Sequence, residues 1–151
     1  MKFNLITALT FFFSLVCTVS YSEQCRLDHL SDLSNAPPFD SYDGNIEVDL
    51  RPVFVKVGPI DGENYQFYAD FYLNSYWADY TLADKIFEHS SSEWCQLEGS
   101  LISDKIWTPN TEFRNIVEMQ ESLLNKIYVG ADGLLHHEQR IQGKFYSDLD
   151  F

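Results

Sequence analysis

Tyr65-Gln66-Phe67-Tyr68-Ala69-Asp70-Phe71-Tyr72-Leu73-Asn74-Ser75-Tyr76-Trp77 is the stretch whose pattern decides the fold class. Phe67, Ala69, Phe71, Leu73 and Trp77 fall on one side of it. Gln66, Tyr68, Asp70, Tyr72, Asn74 and Tyr76 fall on the other. A period of two belongs to a β-strand, whose side chains point alternately to the two faces of a sheet. The run predicts a strand with one face in a core and a polar, tyrosine-rich face turned outward.

Working upstream, Ile46, Val48 and Leu50 alternate with Glu47, Asp49 and Arg51, a second strand pattern. The phase flips at Pro52, after which Val53, Val55 and Val57 form the apolar set. A proline at the flip predicts a bulge or an edge position. Gly58, Pro59, Asp61 and Gly62 read as the turn between the two strands. Before them, Phe39 to Asn45 reads as a loop. Arg26 to Ser34 carries Leu27, Leu30 and Leu33 at helical spacing, and this short amphipathic helix ends at Pro37 and Pro38.

Downstream, Asp84 to Gly99 reads as loop. Glu112 to Val117 and Leu123 to Val129 read as strands. Ala131-Asp132-Gly133 is a hairpin turn, and Leu134 to Phe145 is its returning strand. Short strands at regular spacing predict an all-β, antiparallel immunoglobulin-like sandwich with a short N-terminal helix.

The N-terminus has a different character. Met1-Lys2 precedes an almost wholly apolar run from Leu5 to Val19, and Ser20 and Ser22 supply small residues at a cleavage site. That order marks residues 1–22 as a secretory signal peptide. The run is short for a membrane anchor, which needs about 20 residues. The domain is then expected over residues 23–151, in the secretory pathway. Cys17 would leave with the signal. Cys25 and Cys95 would enter an oxidising compartment, where an even pair usually bridges, so a Cys25–Cys95 disulfide is expected if geometry allows it.

The chain carries a formal net charge of −13. It would repel phosphate backbones, so nucleic acid is not an expected partner. An acidic surface favours cations at long range, or serves solubility alone. No nucleophile, phosphate-loop or zinc-protease motif occurs, and no cofactor is implied. The best metal candidate is His136-His137-Glu138. Neighbours on a strand point to opposite faces, so His136 and His137 would not share an ion. His136 and Glu138 could share a face, but zinc needs more ligands than these two. A hydrolase ranks below a binding module.

Three stretches, in order, resemble the Cys-loop family of neurotransmitter-gated ion channels, in its extracellular ligand-binding domain. Trp77-Ala78-Asp79-Tyr80-Thr81-Leu82 is similar to W-x-D-x-R-L, with Thr81 in place of the arginine. Trp107-Thr108-Pro109-Asn110-Thr111-Glu112-Phe113-Arg114-Asn115 is similar to W-x-P-D-T-x-F-x-N, with Asn110 in place of the aspartate. Asp132-Gly133, followed by Arg140, resembles the family's hairpin and later arginine. Core packing is the expected work of Trp77 and Trp107, a turn or cap that of Asp79, and a fixed turn that of Pro109.

The resemblance implies a site between subunits of a pentamer. On the complementary side it points to Tyr72 and Asn74 in one strand, and to Tyr128 and Glu138 across the hairpin. On the principal side it points to Glu112, where the family often has an aromatic ring. Asn74 stands where many anion-channel subunits have arginine. Both departures argue against amino-acid agonists such as GABA or glutamate and leave open a cationic amine, a proton-sensing role or no agonist. The family's Cys-loop and membrane helices would lie beyond Phe151. The expectation is therefore a receptor fragment that meets the membrane only through a further part. The alternative is a secreted soluble binding or decoy protein of the same fold.

Overall fold

The computed structural model describes residues 23–25, 33, 35–38, 45–88, 90–102, 104–120 and 124–147. In chain order these form β1 (Glu23–Gln24), β2 (Asp49–Asp61), β3 (Gln66–Ala78), α1 (Tyr80–Phe87), β4 (Trp94–Glu98), α2 (Gly99–Ile102), β5 (Ile116–Gln120), β6 (Asn125–Gly130) and β7 (Leu134–Tyr146). The strands make one sheet in the order β1-β4-β6-β7-β3-β2, with β5 also on β7. All pairings are antiparallel except β1 with β4. This is the all-β, mainly antiparallel class of the sandwich folds, with an open sheet and a short helix.

β3 and β7 are the spine. They pair from Gln66↔Tyr146 to Ala78↔Leu134 without a register break. β6 then flanks the first half of β7 and β5 the second half. The alternation read from the sequence holds: Ala69, Phe71, Leu73, Ser75 and Trp77 are buried, as are Leu135, His137, Ile141 and Phe145.

Two apolar clusters share this inner face. Around Trp77 gather Leu82, Ala83 and Ile86 of α1, Cys95 and Leu97 of β4, Ile102, Ile106, Ile127, Val129 and Leu135. Trp107 packs its ring edge-on to Trp77 at 5.9 Å. A disulfide joins Cys25 to Cys95 beneath them. The second cluster is Ala69, Phe71, Leu73, Ile141 and Phe145, with Phe67, Phe113 and Ile116 at its margin.

Several boundaries differ from the sequence expectations. Pairing of β2 starts at Asp49; Ile46 and Val48 precede it and pack against the Trp77 cluster. β2 is at the sheet edge, as Pro52 suggested, but its irregularities fall after Phe54 and after Val57. Gly58 and Pro59 stay within the strand, because an edge strand tolerates the missing N–H. The turn comes later, over residues 62–65. It is organised by Asp61, whose carboxylate accepts from the backbone N–H of Glu63 and Asn64 and from the Asn64 side chain.

The expected loop over residues 84–99 instead holds the end of α1 and all of β4. Asp79 caps α1 by accepting from the Leu82 N–H at 2.9 Å. Leu82, Ala83 and Ile86 then turn one side of α1 into the core. Residues 112–115 are not strand; β5 begins at Ile116. The expected helix over residues 26–34 lies outside the described residues apart from Leu33, as do residues 1–22 and the loop before Asn45.

Candidate functional site

The outward face of the sheet is built in cross-strand rows that the register fixes. Tyr76 of β3 lies opposite His136 of β7, which lies opposite Tyr128 of β6. The next row is Arg51, Asn74, Glu138, Lys126 and Glu98. Beyond it come Val53, Tyr72 and Arg140, and then Lys56, Asp70 and Gln142. Four residues singled out in the sequence, Tyr72, Asn74, Tyr128 and Glu138, therefore stand together on one face.

The rows interlock. Tyr76 stacks on His136 at 4.4 Å with 9° between planes, and Tyr128 stacks on its other side at 5.4 Å. Arg51 lies over the Tyr76 ring at 4.9 Å. His136 Nε2 donates to Asn74 Oδ1 at 2.8 Å, which ties the aromatic row to the polar one. Partial burial lowers the His136 pKa, opposed by the negative charge of Glu138. Burial raises that of the Tyr128 hydroxyl, helped by the charge of Glu138 and a hydrogen bond to it. The imidazole is thus held mainly neutral, and Glu138 is the carboxylate that meets this column.

Tyr72 has a different neighbour. The Arg140 guanidinium sits 5.8 Å from its ring centroid. The Asp49–Arg51 and Glu118–Lys144 pairs lie at the borders of the face. Charge is nearly balanced here: Asp49, Asp61, Asp70, Glu98, Glu118 and Glu138 oppose Arg51, Lys56, Lys126, Arg140 and Lys144. Half of the ten basic residues lie on this one face, so nearly all of the net charge of −13 resides on the rest of the chain.

Glu112 is elsewhere. It is exposed in the loop before β5 and lines a cleft of about 400 Å³ with Thr111, Phe113, Met119, Gln139 and Arg140. The motif residues Trp77, Asp79, Asp132 and Gly133 form one corner. The Asp79 N–H donates to the Gly133 carbonyl at 2.9 Å, and the Leu134 N–H donates to Asp132 Oδ1 at 3.1 Å. Gly133 has φ +86° and lies against the Tyr80 ring, where a Cβ would collide. Pro109, half-buried in the loop before β5, belongs to the scaffold as well.

His136 and His137 do point to opposite faces. His137 is buried and meets Asn125 Oδ1 at 2.7 Å. No group of three His, Cys, Asp or Glu side chains suited to a metal occurs among the described residues. The aromatic column itself was missed in the sequence. Its hairpin half was legible: a turn centred on Asp132 sets Tyr128 opposite His136. Its Tyr76 half depends on the β3–β7 register, which no local signal carries.

An open antiparallel scaffold that buries one face and arrays rings, amides and paired charges on the other is a β-domain of the binding class. The model for the neurotransmitter-gated ion-channel ligand binding domain matches residues 27–151, and the chain belongs to that family. It is a family of ligand-gated channel domains, not of enzymes, and its place is the extracellular part of membrane receptors. No curated protein matches the chain. Among the described residues no helix is long and apolar enough to cross a membrane.

Proposed function

We propose that this chain is the extracellular ligand-binding part of a pentameric ligand-gated channel subunit. A small ligand, a cationic amine by preference, binds between subunits and gates ion flow. The outward face of β3, β6 and β7 supplies the complementary half through Tyr72, Asn74, Tyr128 and Glu138. The loop at Glu112 supplies part of the principal half. Residues 1–22 direct secretion and are removed.

The nearly charge-balanced, ring-bearing face on an otherwise acidic chain is the observation that carries this reading. Two acidic subunits repel unless the touching surfaces are neutral or complementary. Tyrosines with a nearby carboxylate suit an ammonium group, by cation–π attraction and charge. The test is a dose–response curve in a full-length, pentamer-forming receptor, with choline as first probe and surface expression as control. Tyr72→Ala should raise the half-maximal concentration about tenfold, equivalent to 1.4 kcal/mol, and leave surface expression unchanged. An unaltered curve removes Tyr72 from the site.

A further inference from the structure

Arg140 lies opposite Tyr72 in the β3–β7 register and projects on the same face. A free guanidinium there would hold a ligand carboxylate through two parallel hydrogen bonds. The Nε/Nη2 edge of this guanidinium is already filled. Arg140 Nε donates to Asp70 Oδ1 at 3.0 Å and Nη2 donates to Asp70 Oδ2 at 2.8 Å. Gln142 Nε2 donates to Asp70 Oδ2 at 3.0 Å and fixes the carboxylate from the other side. Asp70 is buried, at 6% exposure, although it lies in an outward-facing row.

The other arginine of the face is held differently. Arg51 pairs with Asp49, but both side chains are at least half exposed, so water competes for that pair. The Asp70 carboxylate is shielded instead. Its hydrogen bond from Arg140 holds its pKa below the usual carboxylate range, with help from Gln142 and from the charges of Arg140 and Lys56. It therefore remains ionised at neutral and mildly acid pH.

We infer that Asp70 is a specificity-determining residue of this half-site: by occupying the Nε/Nη2 edge of the Arg140 guanidinium and neutralising its charge, it disfavours ligand carboxylates and leaves the face to neutral or cationic ligands. An incoming carboxylate must displace a tethered one, whose effective concentration is on the order of millimolar or higher. The inference rests on reading this face as a ligand half-site, and it identifies the residue that sets the charge class there.

The experiment follows the Arg140 Nε–H resonance of the full chain by NMR during titration with acetate, with tetramethylammonium as the charge control. In the wild type, acetate should leave the resonance unmoved. In Asp70→Asn the same acetate range should shift it saturably, with binding at least tenfold tighter than in the wild type. Asp70→Asn/Arg140→Gln should lose that gain, and tetramethylammonium should bind none of the variants better than the wild type.

A folded Asp70→Asn that gains no acetate affinity overturns the inference. A saturable acetate shift at Arg140 in the wild type overturns it without any variant, so the inference stays testable even if Asp70→Asn does not fold. In that event an unmoved wild-type resonance supports it. The readout at Arg140 is independent of the Tyr72→Ala dose–response, so a failed ligand reading and a failed Asp70 guard are told apart.

Discussion

The two ends of the β3–β7 ribbon obey the same alternation and end in different states. At the Trp77 end, α1, β4, Ile102 and Ile106 cover the inner face, and Trp77, Ile127, Val129 and Leu135 are at most 2% exposed. At the Phe67 end the cluster is shallow. Phe54 touches Phe71 at 5.2 Å yet is 58% exposed, and Ile60 and Met119 are more open still. Between the ends lies a polar band, where buried Ser75 and His137 sit in register. Period-two patterning gives a residue its side of the sheet. What covers that side comes from elements distant in sequence.

The largest effect should come from the closed end. Trp77→Ala removes a ring packed on every side and should cost about 3–5 kcal/mol in chemical denaturation. A cost near that of a surface change would show that the Trp77 cluster is not the centre of stability.

The polar band should give the next largest effect. Burial pushes the His137 pKa down to about 4, with the neighbouring charge of His136 contributing. An unfolded histidine titrates near 6.5. Between these values the unfolded chain binds the extra proton, so stability is complete above about pH 6.5 and falls as pH drops toward 4. The loss should be roughly 2–3 kcal/mol. Denaturation at pH 7 and pH 4.5 should show a larger acid loss in wild type than in His137→Gln. Equal losses would place the acid-sensitive group elsewhere.

The open end should give the smallest effect. Phe54→Ala should cost under about 1 kcal/mol, as for other exposed positions. A cost equal to that of Trp77→Ala would mean that this end is covered in solution, and the contrast between the ends would fail.

The same contrast separates what the sequence made legible from what it did not. β3 is long and alternating, so its faces could be read, and with them the outward side of Tyr72 and Asn74; β7 runs through five polar residues from His136 to Arg140, and Glu138 was placed by the family resemblance instead. The Asp132-Gly133 turn made the hairpin readable and placed Tyr128. α1 is only about two turns long, too short for periodicity to declare itself, and its clearest sign was the Asp79 cap. β4 shows one alternation, Cys95 and Leu97, inside a polar stretch. Gly58-Pro59 looked like a turn because a proline in a strand is admissible only at an edge, and edge status is a property of the whole sheet. The Tyr76–His136 stack and the Asp70–Arg140 pair span 60 and 70 residues of chain and depend wholly on the β3–β7 register.

The central claim is that one face of β3 carries the fold and the other carries the ligand. Cysteine substitution along the strand tests it most directly, because Cys25 and Cys95 are tied in a disulfide. In a full-length receptor at the cell surface, Phe71→Cys, Tyr72→Cys, Leu73→Cys and Asn74→Cys would be treated with a charged methanethiosulfonate, with and without choline. The account predicts fast labelling at positions 72 and 74, slowed about tenfold or more by choline, and little labelling at positions 71 and 73. Equal labelling at all four positions, or labelling at 72 and 74 that choline leaves unchanged, would contradict it.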